Sequence, residues 1–80
     1  MNRLAATIAL LYPDRTELSF IKLSPKERKE AIDRAYDALD AIDKARIDGQ
    51  VDKLKSVHRI GEVSARELLA CLGILLNKEL

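Results

Sequence analysis

The sequence has few aromatic residues and almost no cysteine. Tryptophan is absent, and one phenylalanine and two tyrosines make up the whole aromatic content. A core must therefore be built mainly from leucine, isoleucine, valine and alanine, which favours closely packed helices. Cys71 is the single cysteine; it excludes an intrachain disulfide and is typical of a reducing compartment. We therefore expect a cytoplasmic protein.

The chain also lacks an excess of charge of either sign. Its 14 basic and 13 acidic residues give a formal net charge of +1, which creates no overall field for nucleic acid or an anionic membrane. No apolar run approaches the roughly 18 residues of a transmembrane helix. The apolar run at residues 4–12 is not followed by the small-residue cleavage site of a signal peptide. We expect no membrane partner, and nucleic acid could bind only through a local basic patch.

Residues that carry catalysis or bind metals are sparse. His58 is the only histidine, and no second histidine or cysteine stands at ligand spacing from it, so we expect no metal site. Cys71 lies within an apolar run, where a thiol is usually a buried hydrophobic group and not a nucleophile. The three glycines are isolated, at 49, 61 and 73, and form no phosphate-binding loop. The sequence therefore predicts a protein that is not an enzyme and needs no cofactor.

What the 80 residues do contain is helical patterning, within a single predicted domain at residues 1–80. An apolar stripe predicts a first helix over residues 3–12, ended by Pro13. Residues 14–23 combine a strand-like alternation with a possible helical turn. We favour helix or irregular structure there, because no second strand is evident.

The clearest signal for a helix start is at Ser24. Pro25 follows it and Glu27 stands at the third helical position, which is the pattern of a capping box. The pattern predicts a long helix from there to about Asp48, closed by Gly49. Apolar residues three apart then predict a short helix over residues 51–60.

The last helix is the most apolar part of the chain. Gly61 is expected to end the preceding short helix, and Ser64 with Glu67 predicts a second capping box and a start near Ala65. Residues 68–76 read LLACLGILL without a charge, and a helix that is apolar on every side must be covered. The expected fold is all-α, a compact bundle of three to four helices. Its strongly apolar last helix lies either at the centre of the bundle or against another chain.

We favour contact with another chain, in a homodimer, because so short a sequence can hardly enclose that helix alone. Alanines spaced seven apart on the long helix would let a neighbouring helix approach closely. The predicted dimer or partner interface comprises Leu68, Leu69, Leu72, Leu75, Leu76, Ala31, Ala35, Ala38, Leu39 and Ile42.

Aspartates recur three or four residues apart along one side of the predicted long helix. Like charges at that spacing destabilise a helix slightly, so the row is either a simple solvated face or a docking surface for a basic partner. The predicted acidic docking face comprises Asp33, Asp37, Asp40 and Asp43.

Residues 51–72 loosely resemble a helix-turn-helix, with residues 60–64 as the turn. The second helix would offer one arginine and then become apolar, which leaves little to read base edges. The resemblance implies contacts to nucleic acid from Lys53, Lys55, Arg59, Ser64 and Arg66.

The apolar helix and the missing chemistry together favour a non-enzymatic protein-protein interaction module. Such a module would act, as a homodimer, as an adaptor, regulator or small inhibitor of a larger protein. A small helix-turn-helix-like DNA-binding transcriptional regulator is the alternative.

Overall fold

The computed structural model describes residues 3–13 and 17–76, and these form five helices. The helices are α1 (Arg3–Leu11), α2 (Glu17–Lys22), α3 (Pro25–Asp37), α4 (Ala41–His58) and α5 (Glu62–Leu76). No strand occurs in these two ranges. The predicted all-α fold is confirmed, with five helices instead of three or four.

The first two helices supply three of the largest fully buried side chains. Leu4 and Ile8 are one turn apart on α1 and both have no exposed surface, as the apolar stripe predicts. The amide of Tyr12 donates to the carbonyl of Ile8 at 2.8 Å, just before Pro13. The ambiguous segment is helical over α2, which carries the single phenylalanine, Phe20, into the core.

The start of α3 confirms the predicted capping box. The Ser24 hydroxyl accepts from the amide of Glu27 at 3.2 Å, and the Glu27 carboxylate accepts from the amide of Ser24 at 3.4 Å. Pro25 is the first helical residue. These bonds satisfy amides that have no partner inside the helix, so the start is fixed locally.

The predicted single helix from Ser24 to Asp48 is wrong, because the helix is interrupted at residues 38–40. The amide of Leu39 donates to the carbonyl of Tyr36 at 3.0 Å, which tightens the last turn of α3. Asp40 is extended, and its carboxylate accepts from the amide of Asp43 at 2.8 Å, so it is the N-cap of a new helix. The break also lets Leu39 turn into the core, where it is buried.

The new helix, α4, runs for 18 residues without interruption, and the predicted stop at Gly49 is wrong. Gly49 has no positive φ and lies inside the helix. Ile47 and Val51 are buried on either side of it. Burial of one such side chain is worth roughly 1.5–3 kcal/mol, more than the about 1 kcal/mol of helix propensity lost at a glycine.

The predicted end of the helix before Gly61 and the predicted start of the last helix are wrong as well. α4 ends at His58, and Arg59 takes the left-handed conformation (φ 54°, ψ 38°) with its amide donating to the carbonyl of Lys55. α5 begins at Glu62, and the amide of Ala65 donates to the carbonyl of Gly61 at 2.9 Å. Ser64 therefore lies within the first turn and is not the N-cap.

α5 is the central helix of the bundle and contacts each of the other four helices. Ala65 and Ala70 are fully buried, and their small side chains permit this close packing. The chain covers α5 in part, since Leu68 and Leu72 remain 38% and 42% exposed. α1 and α2 form part of that cover.

Candidate protein-binding groove

An apolar groove lies between the second half of α4 and α5. Val57 is 66% exposed, and Leu54 and Leu69 are half-buried. The surface that these side chains present is almost wholly apolar. The complete lining is Gln50, Lys53, Leu54, Val57, His58 and Leu69.

The groove exists because the apolar spacing of α4 changes along the helix. Each step of three residues advances about 300° around an α-helix, so residues three apart drift by about 60° per step. Val51 is buried, Leu54 is half-buried and Val57 is mostly exposed. The same spacing that suggests a short separate helix thus carries an apolar stripe out of the core and onto the surface.

The polar groups at the edge of the groove are basic or neutral. Lys53 and His58 lie there with the amide side chain of Gln50. No carboxylate of a described residue lines the groove. The edge therefore favours negative charge on whatever approaches it.

A cluster centred on Tyr36 holds α3, α4 and α5 together behind this groove. The Tyr36 hydroxyl donates to the two carboxylate oxygens of Asp48 at 2.9 and 2.8 Å. The Arg66 guanidinium stacks 4.0 Å from the centre of the Tyr36 ring and contacts the carboxylates of Asp48 and Glu62 at 3.3 Å. The hydrogen bond to Asp48, more than burial or charge, raises the pKa of Tyr36. Because Arg66 is on α5, the cluster fixes the helix that forms one wall of the groove.

Two further ion pairs tie the helices to each other. Arg28 pairs with Glu67 of α5, and its Nη1 donates to the carbonyls of Ile21 and Leu23 at 2.7 and 3.1 Å. Arg3 of α1 pairs with the buried Asp43 of α4 at 3.3 Å. The Arg28 pair is the more buried of the two and is less screened by solvent than the Arg3 pair, whose arginine is 56% exposed.

The predicted interface residues do not form one surface. Leu68 and Leu72 are partly exposed on α5, and Leu69 lines the groove. Ala38 and Ile42 are exposed near the break between α3 and α4. Leu75 and Leu76 belong to α5, but their side chains are not among those that the structure describes. The remaining three, Ala31, Ala35 and Leu39, are buried in the chain's own core and offer no surface to a partner.

The four predicted docking aspartates do not form a row. Asp33 and Asp37 are exposed on α3, but Asp40 caps α4 and Asp43 is buried against Arg3. The helix break divides them, since residues on two different helices no longer follow one periodicity. The single helical face that the spacing predicts is therefore not formed: Asp33, Asp37 and Asp40 are exposed, and Asp43 is buried.

The predicted nucleic-acid contacts differ in their exposure. Lys53, Arg59 and Ser64 are exposed, Lys55 is half-buried, and Arg66 is held by Asp48, Glu62 and Tyr36. The turn lies at residues 59–61 and not at 60–64. α5 packs against all four other helices, and the side chains that it leaves exposed after its first turn, Leu68 and Leu72 among them, are apolar and not suited to reading base edges.

Cys71 and His58 lie in different settings. Cys71 is half-buried, and burial, with a smaller contribution from the charge of Glu67, raises the pKa of its thiol. A thiol with a raised pKa is a poor nucleophile at neutral pH. His58 is exposed at the end of α4. Within the described ranges, no three His, Cys, Asp or Glu side chains are grouped to hold a metal ion.

Sequence reasoning missed the Tyr36 cluster and the groove. Tyr36, Asp48 and Arg66 are 12 and 18 residues apart and follow no periodic pattern. The drift of Val51, Leu54 and Val57 is visible in the spacing once α4 is known to be continuous.

No described helix is long and apolar enough to cross a membrane. Comparison with protein-family models, curated proteins and solved structures found no match.

Proposed function

We propose that this protein is a non-enzymatic protein-interaction module whose groove binds an amphipathic helix of a larger protein. The exposure of Val57 beside Leu54 and Leu69 carries the proposal. Grooves between two helices commonly accept helices that present apolar residues at i, i+3 or i+4 and i+7. Burying part of these side chains in a complex would contribute a few kcal/mol, since full burial of one is worth about 1.5–3 kcal/mol.

A model peptide tests the groove directly. The probe is a synthetic amphipathic helix with leucines at i, i+3 and i+7, titrated into the protein while amide chemical shifts are recorded. We expect the shifts to concentrate on the second half of α4 and the facing part of α5. Shifts spread evenly over the bundle, or none at all, would contradict the proposal.

Val57→Ser and Ile42→Ser make a matched pair of variants for the same titration. Both side chains lie on α4 and their exposed fractions are 66% and 67%, so both changes remove a similar exposed apolar group. Val57→Ser should weaken the peptide about fivefold to tenfold, and Ile42→Ser should leave the affinity unchanged. Equal losses would show that the peptide does not bind in the groove.

Self-association is a second candidate function, favoured by Leu68 and Leu72. The two leucines are one turn apart on α5 and remain 38% and 42% exposed. Sedimentation velocity over a range of concentrations should then show a dimer that Leu72→Asp dissociates, because an unpaired charge cannot be buried cheaply. Leu10→Asp, at a residue 71% exposed on α1, is the control. A monomer at every concentration would remove this candidate.

A further inference from the structure

The charges around the groove define the kind of helix that fits it, and this inference rests on the proposed function. Lys53 is exposed at the edge and has no ion-pair partner among the described residues. The carboxylates of α5 are already engaged, Glu62 with Arg66 and Glu67 with Arg28. An approaching segment therefore meets the positive charge of Lys53 beside apolar side chains, and no carboxylate lines the groove among the described residues.

The length of the groove limits the size of its occupant. Gln50 and His58 are the first and last residues of α4 that line it, and at 1.5 Å per residue they are about 12 Å apart along the helix axis. That distance matches about two turns of a bound helix, which hold two or three apolar anchors. The positive side chains then face the flanks of those anchors.

A second copy of this chain, bound groove to groove, does not satisfy these charges. In a symmetric contact the same patch is present on both sides, so both copies would bring the positive charge of Lys53 into one interface. Like charges brought together oppose association. We therefore expect the groove to bind a protein other than a second copy of this chain, with negative charge facing Lys53.

We propose that the groove binds an amphipathic helix of another protein in which aspartate or glutamate flanks two or three large apolar residues. Three synthetic peptides with identical leucine anchors and acidic, glutamine or lysine flanks test this inference. Each peptide carries one tryptophan, whose fluorescence reports binding without background because this chain has none. A surface ion pair with Lys53 predicts that the acidic peptide binds up to about fivefold more tightly than the glutamine peptide.

Salt and charge reversal complete the test. Near 1 M salt, where the Debye length is about 3 Å, the three affinities should converge. Lys53→Glu should make the lysine peptide bind more tightly than the acidic one, while Lys26→Glu, an exposed change on α3, should preserve the original order. Both sites are exposed, and circular dichroism would confirm that both variants fold.

The outcomes separate this inference from the proposed function. Equal affinity for the three peptides, or tightest binding of the lysine peptide to the unaltered protein, would overturn the acidic partner and leave the groove as a binding site. Failure of all three peptides to bind would overturn both. Preference for the acidic peptide that Lys53→Glu reverses would support both.

Discussion

Gly49 lies in the middle of α4, where a glycine weakens a helix. It is exposed and has no positive φ, and a Cβ added to it would meet no atom within 4 Å. Alanine is more favourable than glycine inside a helix by about 0.8–1 kcal/mol. Gly49→Ala should therefore raise the free energy of unfolding by about that amount.

Thermal and urea unfolding, followed by far-ultraviolet circular dichroism, would measure this gain. For a domain of this size, 1 kcal/mol corresponds to a rise in Tm of about 4–8 °C. The urea midpoint should rise while the slope m stays constant, because the surface exposed on unfolding hardly changes. Ala45→Gly, at an exposed residue one turn earlier, is the reverse control and should lower the stability by a similar amount.

The result would decide whether α4 is continuous. If Gly49 ended a helix in the left-handed conformation, alanine would cost about 1 kcal/mol or more there. A fall in Tm for Gly49→Ala would therefore refute the continuous helix. An unchanged Tm, together with the expected fall for Ala45→Gly, would show that residue 49 is not in a regular helical turn.

Three further outcomes are expected from the same structure. Arg59→Gly should raise the free energy of unfolding, measured by urea unfolding, by up to about 1 kcal/mol because glycine adopts the left-handed conformation without strain, whereas Arg59→Ala should not. In a Tyr12→Phe background, Asp48→Asn should lower the pKa of Tyr36, measured by tyrosinate absorbance, because the Asp48 carboxylate raises it. Because the pKa of Tyr36 is raised in the folded protein, its protonated hydroxyl stabilises the fold; this contribution is complete below the unfolded pKa of 10.0 and is lost as the pH rises through the folded pKa. The stability of Tyr36→Phe should therefore depend less on alkaline pH. Val57→Ala should unfold no earlier than the unaltered protein, yet bind the acidic peptide more weakly; a loss of 1 kcal/mol or more in stability would show instead that Val57 is buried by the fold.

The start of α3 could be predicted from the sequence because all of its determinants are local. Ser24, Pro25 and Glu27 are neighbours in the chain, and their bonds form within one helical turn. No distant contact is needed to choose this start over another. The same is true of the stripe formed by Leu4 and Ile8, whose burial on α1 follows from spacing alone.

The break between α3 and α4 could not be predicted in this way. An aspartate is suited both to an exposed helix face and to an N-cap, so Asp40 alone is compatible with a continuous helix and with a break. The choice is linked to the burial of Leu39 against residues far away in sequence. The predicted helix end at Gly49 failed for a related reason. Ile47 and Val51 on either side of it are buried in the core, and these long-range contacts keep the helix continuous through Gly49.

The candidate site depends even more on tertiary structure. Periodicity shows that α5 is apolar but not what covers it, and α1 and α2 provide part of the cover. The cluster of Tyr36, Asp48 and Arg66 joins three helices through residues with no common spacing. The groove therefore becomes visible only when α4 and α5 are placed together.

The exposure of Val57 is the observation on which the proposed binding function depends. Valine is a poorer helix former than alanine because its branched side chain restricts χ1, and a side chain that is 66% exposed buries little area. A polar residue would serve folding equally well at this site. α4 nevertheless continues two turns beyond Val51, its last buried residue, and keeps an apolar wall beside Leu69. The partner helix proposed above would bury this wall, which the fold leaves exposed.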